Sequence, residues 1–209
     1  GTNHASFGLL AETWEWDGTS WTQRVVSGPS AREQMAMAFD TARGVTTLYG
    51  GDTRGTAFFS DETWEWDGTS WTLRATGVPS RRRGHAMVFD AVRGMTIAFG
   101  GYNFNYVGET WNWSGTSWAQ GVLDGPAPRE GHAMSYDAAR RTTVLFGGYG
   151  STPPTTGLLP GETWELGEET PRPCPADLDN DGDFGNGLTR DGAVTIEDLL
   201  TFLAGFEAD

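Results

Sequence analysis

His85-Ala-Met-Val-Phe-Asp90, then Met95-Thr-Ile-Ala-Phe99, then Gly100-Gly101, then Glu109-Thr-Trp-Asn-Trp113: this stretch decides the fold. Its β-branched and aromatic runs are punctuated by glycine, which predicts short strands. We read strand a over His85–Asp90, strand b over Met95–Phe99, strand c over Glu109–Trp113 and a short strand d over Thr116–Trp118. The same landmarks recur on either side. Ala-Met-x-aromatic-Asp returns at Ala36–Asp40 and Ala133–Asp137, and the glycine pair at Gly50-Gly51 and Gly147-Gly148. Glu-Thr-Trp places tryptophan at 14, 64, 111 and 164, a spacing of 50, 47 and 53 residues. Three independent landmarks on one period predict a repeat architecture.

Outward from that stretch, the chain supplies strands c and d, two full sets a to d, then a, b and c. Asp17-Gly18 and Asp67-Gly68, between tryptophan-rich runs, predict tight hairpins. The set of landmarks resembles kelch repeats. The residues that carry the resemblance are Pro29/Arg32, Pro79/Arg82 and Pro126/Arg129, the Gly84-His85 and Gly131-His132 pairs, the double glycines, and the tryptophans of strands c and d. The resemblance implies an all-β fold: kelch-type β-propeller blades, each a four-stranded antiparallel sheet. About three and a half blades are expected within residues 1–166, an incomplete ring whose open blade edges favour self-association.

Composition narrows the function. The chain has 209 residues, 14 Lys+Arg, all of them arginine, 28 Asp+Glu, and a net charge of -14. That charge excludes nucleic acid as an expected partner. No apolar stretch is long enough for a membrane span. One cysteine allows no internal disulfide. No signal-peptide pattern opens the chain, so Gly1 is expected to begin a mature form or a fragment.

The loops between strands b and c differ between copies, whereas the other turns are nearly constant. They carry Phe58, Phe59, Tyr102, Phe104, Tyr106 and Tyr149. Variation on a repeated scaffold points to a binding face. These aromatics either stack on a glycan or anchor a protein partner, or else pack between blades. The histidines read as scaffold: His85 and His132 share a repeat position that Met35 fills in another copy. Arg32, Arg82 and Arg129 recur with Glu12, Glu62, Glu109 and Glu162 and are expected to pair within or between blades. No catalytic residue is expected.

Residues 167–175 contain three prolines and read as a linker. Residues 176–209 are acidic, and Asp177-Leu-Asp179-Asn-Asp181-Gly182 has the opening of a calcium loop. Its ending comes later, at Asp191-Gly192-Ala193-Val194 through Asp198, so Asp181 and Asp191 compete for one position. Leu199, Leu200, Phe202, Leu203 and Phe206 follow at helical spacing. The segment resembles the calcium-binding repeat of type I dockerins, with one repeat and an insertion. The resemblance implies a small loop-helix, EF-hand-like module that holds Ca2+ through Asp177, Asp179, Asp181, Asp191, Ala193 and Asp198. The alternative is a solvated acidic tail.

Together these readings predict a non-catalytic extracellular or cell-envelope protein. Its loop face would meet a glycan or protein, and its calcium-binding tail would serve attachment or stability. Two other classes remain open: a filament or matrix subunit joined by strand complementation, and a fragment of a carbohydrate-active enzyme.

Overall fold

The computed structural model describes residues 8–54, 58–121, 125–152, 155–158 and 163–166. All lie within the unit Gly1–Gly167. The linker, the acidic segment and the six calcium-ligand candidates Asp177, Asp179, Asp181, Asp191, Ala193 and Asp198 lie outside the described residues.

The described residues form β-structure without a helix. β1 (Thr13–Trp16) and β2 (Trp21–Arg24) make a two-stranded antiparallel first sheet. β3 (Ala36–Asp40), β4 (Val45–Tyr49), β5 (Thr63–Trp66) and β6 (Trp71–Ala75) make a four-stranded second sheet in chain order. β7 (Ala86–Asp90), β8 (Met95–Phe99), β9 (Thr110–Trp113) and β10 (Trp118–Gln120) repeat it as the third. β11 (Arg129–Glu130) precedes β12 (Ala133–Asp137) and β13 (Thr142–Phe146). β14 (Tyr149–Thr152) and β15 (Thr155–Leu158) then precede β16 (Thr163–Leu166). β12, β13 and β16 form the fourth sheet, while β11, β14 and β15 form a small separate one.

Each large sheet is an antiparallel meander, the form of a propeller blade. β3 packs against β7 and β7 against β12, so the first strands of successive sheets lie side by side. β7 and β8 of the third sheet are buried on both faces and run as near-continuous apolar segments, whereas β3 alternates, with Met37 and Phe39 exposed, and the outer strands β6 and β10 are largely exposed. β1 alternates between half-buried and exposed positions. Tyr49, Ala38, Met87 and Ala98 form a shared core between the second and third sheets, with Trp111 and Trp118 packed against it.

The turns follow a repeated chemistry. In each a–b turn an aspartate side chain caps two backbone N–H groups. Asp40 accepts from Ala42 and Arg43, Asp90 from Val92 and Arg93, and Asp137 from Ala139 and Arg140. The expected hairpins at Asp17-Gly18 and Asp67-Gly68 form between β1 and β2 and between β5 and β6, closed by the four-residue loops 17–20 and 67–70. The physical reason is capping: Asp17 Oδ1 accepts from the backbone of Thr19 and Ser20 at 2.8 Å, which closes a wider turn. These bonds, the Thr19 hydroxyl first, hold the Asp17 carboxyl well below its ordinary range. Ser114 caps the third copy in the same way through longer bonds, and Thr116 falls in that loop rather than in the expected strand.

A buried arginine fixes the start of each blade. Arg82 donates to the Ser80 and Gly100 carbonyls at 3.0 and 3.2 Å and to Glu109 Oε2 at 2.8 Å. Arg32 makes the corresponding bonds to Ser30, Gly50 and Glu62. Arg129 reaches the Ala127 and Gly147 carbonyls. Burial alone would raise the Glu62 and Glu109 carboxyls, but their arginine and tryptophan partners hold both below the ordinary value.

Candidate binding surface on the loop face

The double glycines set up the loop face. Gly50-Gly51 and Gly100-Gly101 all have positive φ, between 69° and 104°. A Cβ on Gly101 would lie 2.7 Å from the Arg83 carbonyl, so this close approach needs glycine. The next residue then bridges back to the residue after the buried arginine. Asp52 pairs with Glu33, Tyr102 with Arg83, and Tyr149 with Glu130. Asp52 and Tyr102 bridge onward to Phe59 and Tyr106, which closes each loop at its base. The sequence reading missed these ladders, because single-residue bridges have no periodicity to detect.

This scaffold brings all six predicted aromatics into one strip across three successive sheets. Phe58 meets Phe104 edge-on at 6.2 Å, and Phe59 meets Phe104 at 5.2 Å and Tyr102 at 6.2 Å. Tyr102 continues to Tyr106 at 5.3 Å, and Tyr106 to Tyr149 at 5.7 Å. Phe58, Phe104 and Tyr149 are exposed, and Tyr102 and Tyr106 are half-buried. Phe59 is buried beneath them, so it supports the strip rather than presenting a face.

Phe58 and Phe104 have φ of 58° and 57°. Bulky residues rarely adopt this left-handed region, which costs about 1–2 kcal/mol for each. The loops hold it in place: Thr53 donates backbone N–H to the Phe58 carbonyl at 2.8 Å, and Asn103 to the Asn105 carbonyl at 2.9 Å.

Arg83 is the functional candidate that sequence reasoning missed. Its guanidinium lies 5.4 Å from both the Phe59 and Tyr102 ring centroids. It also stands 3.4 Å from Asp52 and 3.6 Å from Glu130. Glu33, Arg83 and Glu130 share one repeat position, and the charge reversal at Arg83 was the available signal. Burial, then the neighbouring Tyr149 and Glu130, pushes the Tyr106 phenol up, so it stays protonated and able to donate.

The arrangement offers flat apolar faces, phenol hydroxyls and one cation among carboxylates. It suits stacking on a ring or an extended chain. His85 and His132 lie in the interior, where the backbones of Tyr49 and Phe99 only partly offset the loss of solvent around their rings. Among the described residues no group of three or more His, Cys, Asp or Glu is arranged to hold a metal ion. Among them, too, no helix is long and apolar enough to cross a membrane.

No family model matches the chain, and no curated protein matches it. Among solved structures it is similar to one titled "Structure of YjhT", with 17% identity and a TM-score of 0.49, over 59% of this chain. The chain spans 36% of that structure's length.

Proposed function

We propose that this chain is a non-catalytic binding protein of the kelch-propeller type, whose loop face holds a glycan on the strip from Phe58 to Tyr149. One observation carries the reading: Phe58 and Phe104 stay exposed at strained positive φ. A fold gains nothing from strain that displays an apolar ring to water, so a ligand is the natural beneficiary. Tyr102, Tyr106 and Tyr149 add hydroxyls at one end of the strip, and Arg83 adds a cation over the Phe59 and Tyr102 rings. A protein partner is the second reading, favoured by the purely apolar Phe58–Phe104 end.

The acidic segment extends the proposal from sequence alone. Asp177, Asp179, Asp181 or Asp191, Ala193 and Asp198 would supply oxygens to one Ca2+ in a module for attachment or stability. Calorimetric titration of the full chain with calcium tests it, and an absence of heat removes it. Such a protein belongs outside the cytoplasm or in the cell envelope.

The loop-face experiment is a glycan array probed with the full chain, followed by titration of any hit against Phe104→Ala and Tyr149→Ala. Each loss of a stacking face should weaken binding about tenfold. Binding that both variants leave unchanged would move the site elsewhere. An array without hits would overturn the glycan reading.

A further inference from the structure

The indoles of successive sheets obey one rule. Trp66 and Trp71 of the second sheet donate Nε1–H to Glu15 Oε1 and Thr13 Oγ1 of the first, both at 2.8 Å. Trp113 and Trp118 of the third sheet donate to Glu65 Oε1 and Thr63 Oγ1 of the second, at 3.0 and 2.8 Å. The second and third sheets therefore turn a donor face of two tryptophans toward an acceptor face of a threonine and a carboxylate on the sheet before; the third sheet carries Asn112 in place of that carboxylate, and the fourth carries Leu166 in place of the first tryptophan.

Among the described residues, the first sheet's donor face and the fourth sheet's acceptor face are left uncovered. Trp16 is 52% exposed, whereas its counterparts Trp66 and Trp113 are 7% and 1% exposed; Trp21 is 63% exposed, whereas its counterparts Trp71 and Trp118 are half-buried. Neither exposed indole N–H meets an acceptor among the described residues. The pair is nonetheless set as the inner pairs are: ring centroids lie 5.5 Å apart at 43°, against 5.6 Å and 41° for Trp66–Trp71. On the fourth sheet Thr163 and Glu165 are exposed, whereas Thr63 and Glu65 are buried. Phe146 beside them is 57% exposed, whereas its counterparts Tyr49 and Phe99 are 0% and 3%. Arg140 already holds Glu165 at 2.6 Å, as Arg43 holds Glu65 at 2.7 Å. One end thus lacks an acceptor face and the other lacks a donor face, and each matches the other.

We propose that two copies of this chain associate head to tail, with the first sheet of one docking on the fourth sheet of the next. Trp16 Nε1–H then donates to Glu165 and Trp21 Nε1–H to Thr163 Oγ1, in the register of the inner interfaces. The indole pair covers Phe146. Such a contact joins different surfaces on the two copies, so repetition gives a ring or a filament. This goes beyond the binding role of the loop face and does not depend on it.

Light scattering on the full chain, from micromolar to near-millimolar concentration, reads the assembly. The expected result is a mass of two or more copies. Trp21→Arg and Glu165→Arg, both at exposed positions, should each return it to a single copy. Mixing the two variants should restore a two-copy species, because one unaltered Trp21 face then meets one unaltered Glu165 face. Rescue on mixing separates docking of unlike faces from misfolding, since circular dichroism of each variant should stay unchanged. A single-copy mass for the unsubstituted chain at every concentration would overturn the proposal. So would an oligomer that survives both substitutions, or a mixture that stays single-copy.

Discussion

Trp113 donates its indole N–H to Glu65, 48 residues earlier in the chain, at 3.0 Å, and both residues are buried. The bond crosses from the third sheet to the second. Glu65 also accepts Arg43 from its own sheet's a–b turn and Arg74 from β6, at 2.7 and 2.8 Å. One carboxylate therefore ties a turn, a strand and the next sheet together.

Removing that carboxylate should be costly. Glu65→Ala orphans a buried indole N–H and should destabilise the fold by about 2–3 kcal/mol. Glu65→Gln keeps an acceptor oxygen and should cost less. Glu15→Ala, at the more exposed counterpart, should cost less than Glu65→Ala. Urea denaturation of the three variants checks the order, and a Glu15→Ala loss equal to that of Glu65→Ala would refute it.

The interior histidines predict a pH dependence. Burial, then the charge of Arg82, pulls His85 down to about 3; burial, then Arg129, pulls His132 down to about 4. Both ordinary values are 6.5. The unfolded chain therefore binds more protons than the folded one between those limits, and stability falls as pH drops below 6.5. The slope is about 1.4 kcal/mol per pH unit for each histidine. Carboxylates such as Glu62 titrate only at the lower end of that window. His85→Met imitates Met35 at the same repeat position and should fold while halving the slope between pH 6 and pH 5. Urea midpoints across that range measure it, and an unchanged slope would count against a neutral buried His85.

The periodic pattern made the large strands legible because each buries apolar side chains on a regular spacing. Ala86–Asp90 and Met95–Phe99 emerge within a residue of the expected bounds. The β11–β14–β15 sheet was not legible, since Thr155-Thr-Gly-Leu158 carries no apolar alternation. The loop aromatics stood out because they broke the repeat. Arg83 also broke it, by a charge reversal between Glu33 and Glu130, but its role depends on Phe59 and Tyr102 arriving beneath it.

Two repeat positions are filled by residues that their own backbone disfavours. Gln34 has φ of 55° where Gly84 and Gly131 stand, and Arg141 has 56° where Gly44 and Gly94 stand. Gln34→Gly and Arg141→Gly should each relieve about 1 kcal/mol of strain, less the greater flexibility of glycine in the unfolded chain. A rise in Tm of about 2 °C is expected for each. A fall in either would mean that the side chain's contacts outweigh the strain.

Phe58 and Phe104 have the same strained backbone but should behave differently. Their rings belong to the exposed strip, so glycine there should relax the loop and remove a stacking face at once. Phe104→Gly should keep or raise Tm, whereas Phe59→Ala should lower it, because Phe59 is buried and truncating it costs about 3–5 kcal/mol. Binding to the loop face should weaken in Phe104→Gly despite its stability. That opposition between stability and binding marks a residue retained for contact rather than for folding. Thermal melts beside ligand titrations decide it. A Phe104→Gly variant that loses Tm and keeps full binding would make Phe104 a packing residue and shift the contact surface toward Tyr149.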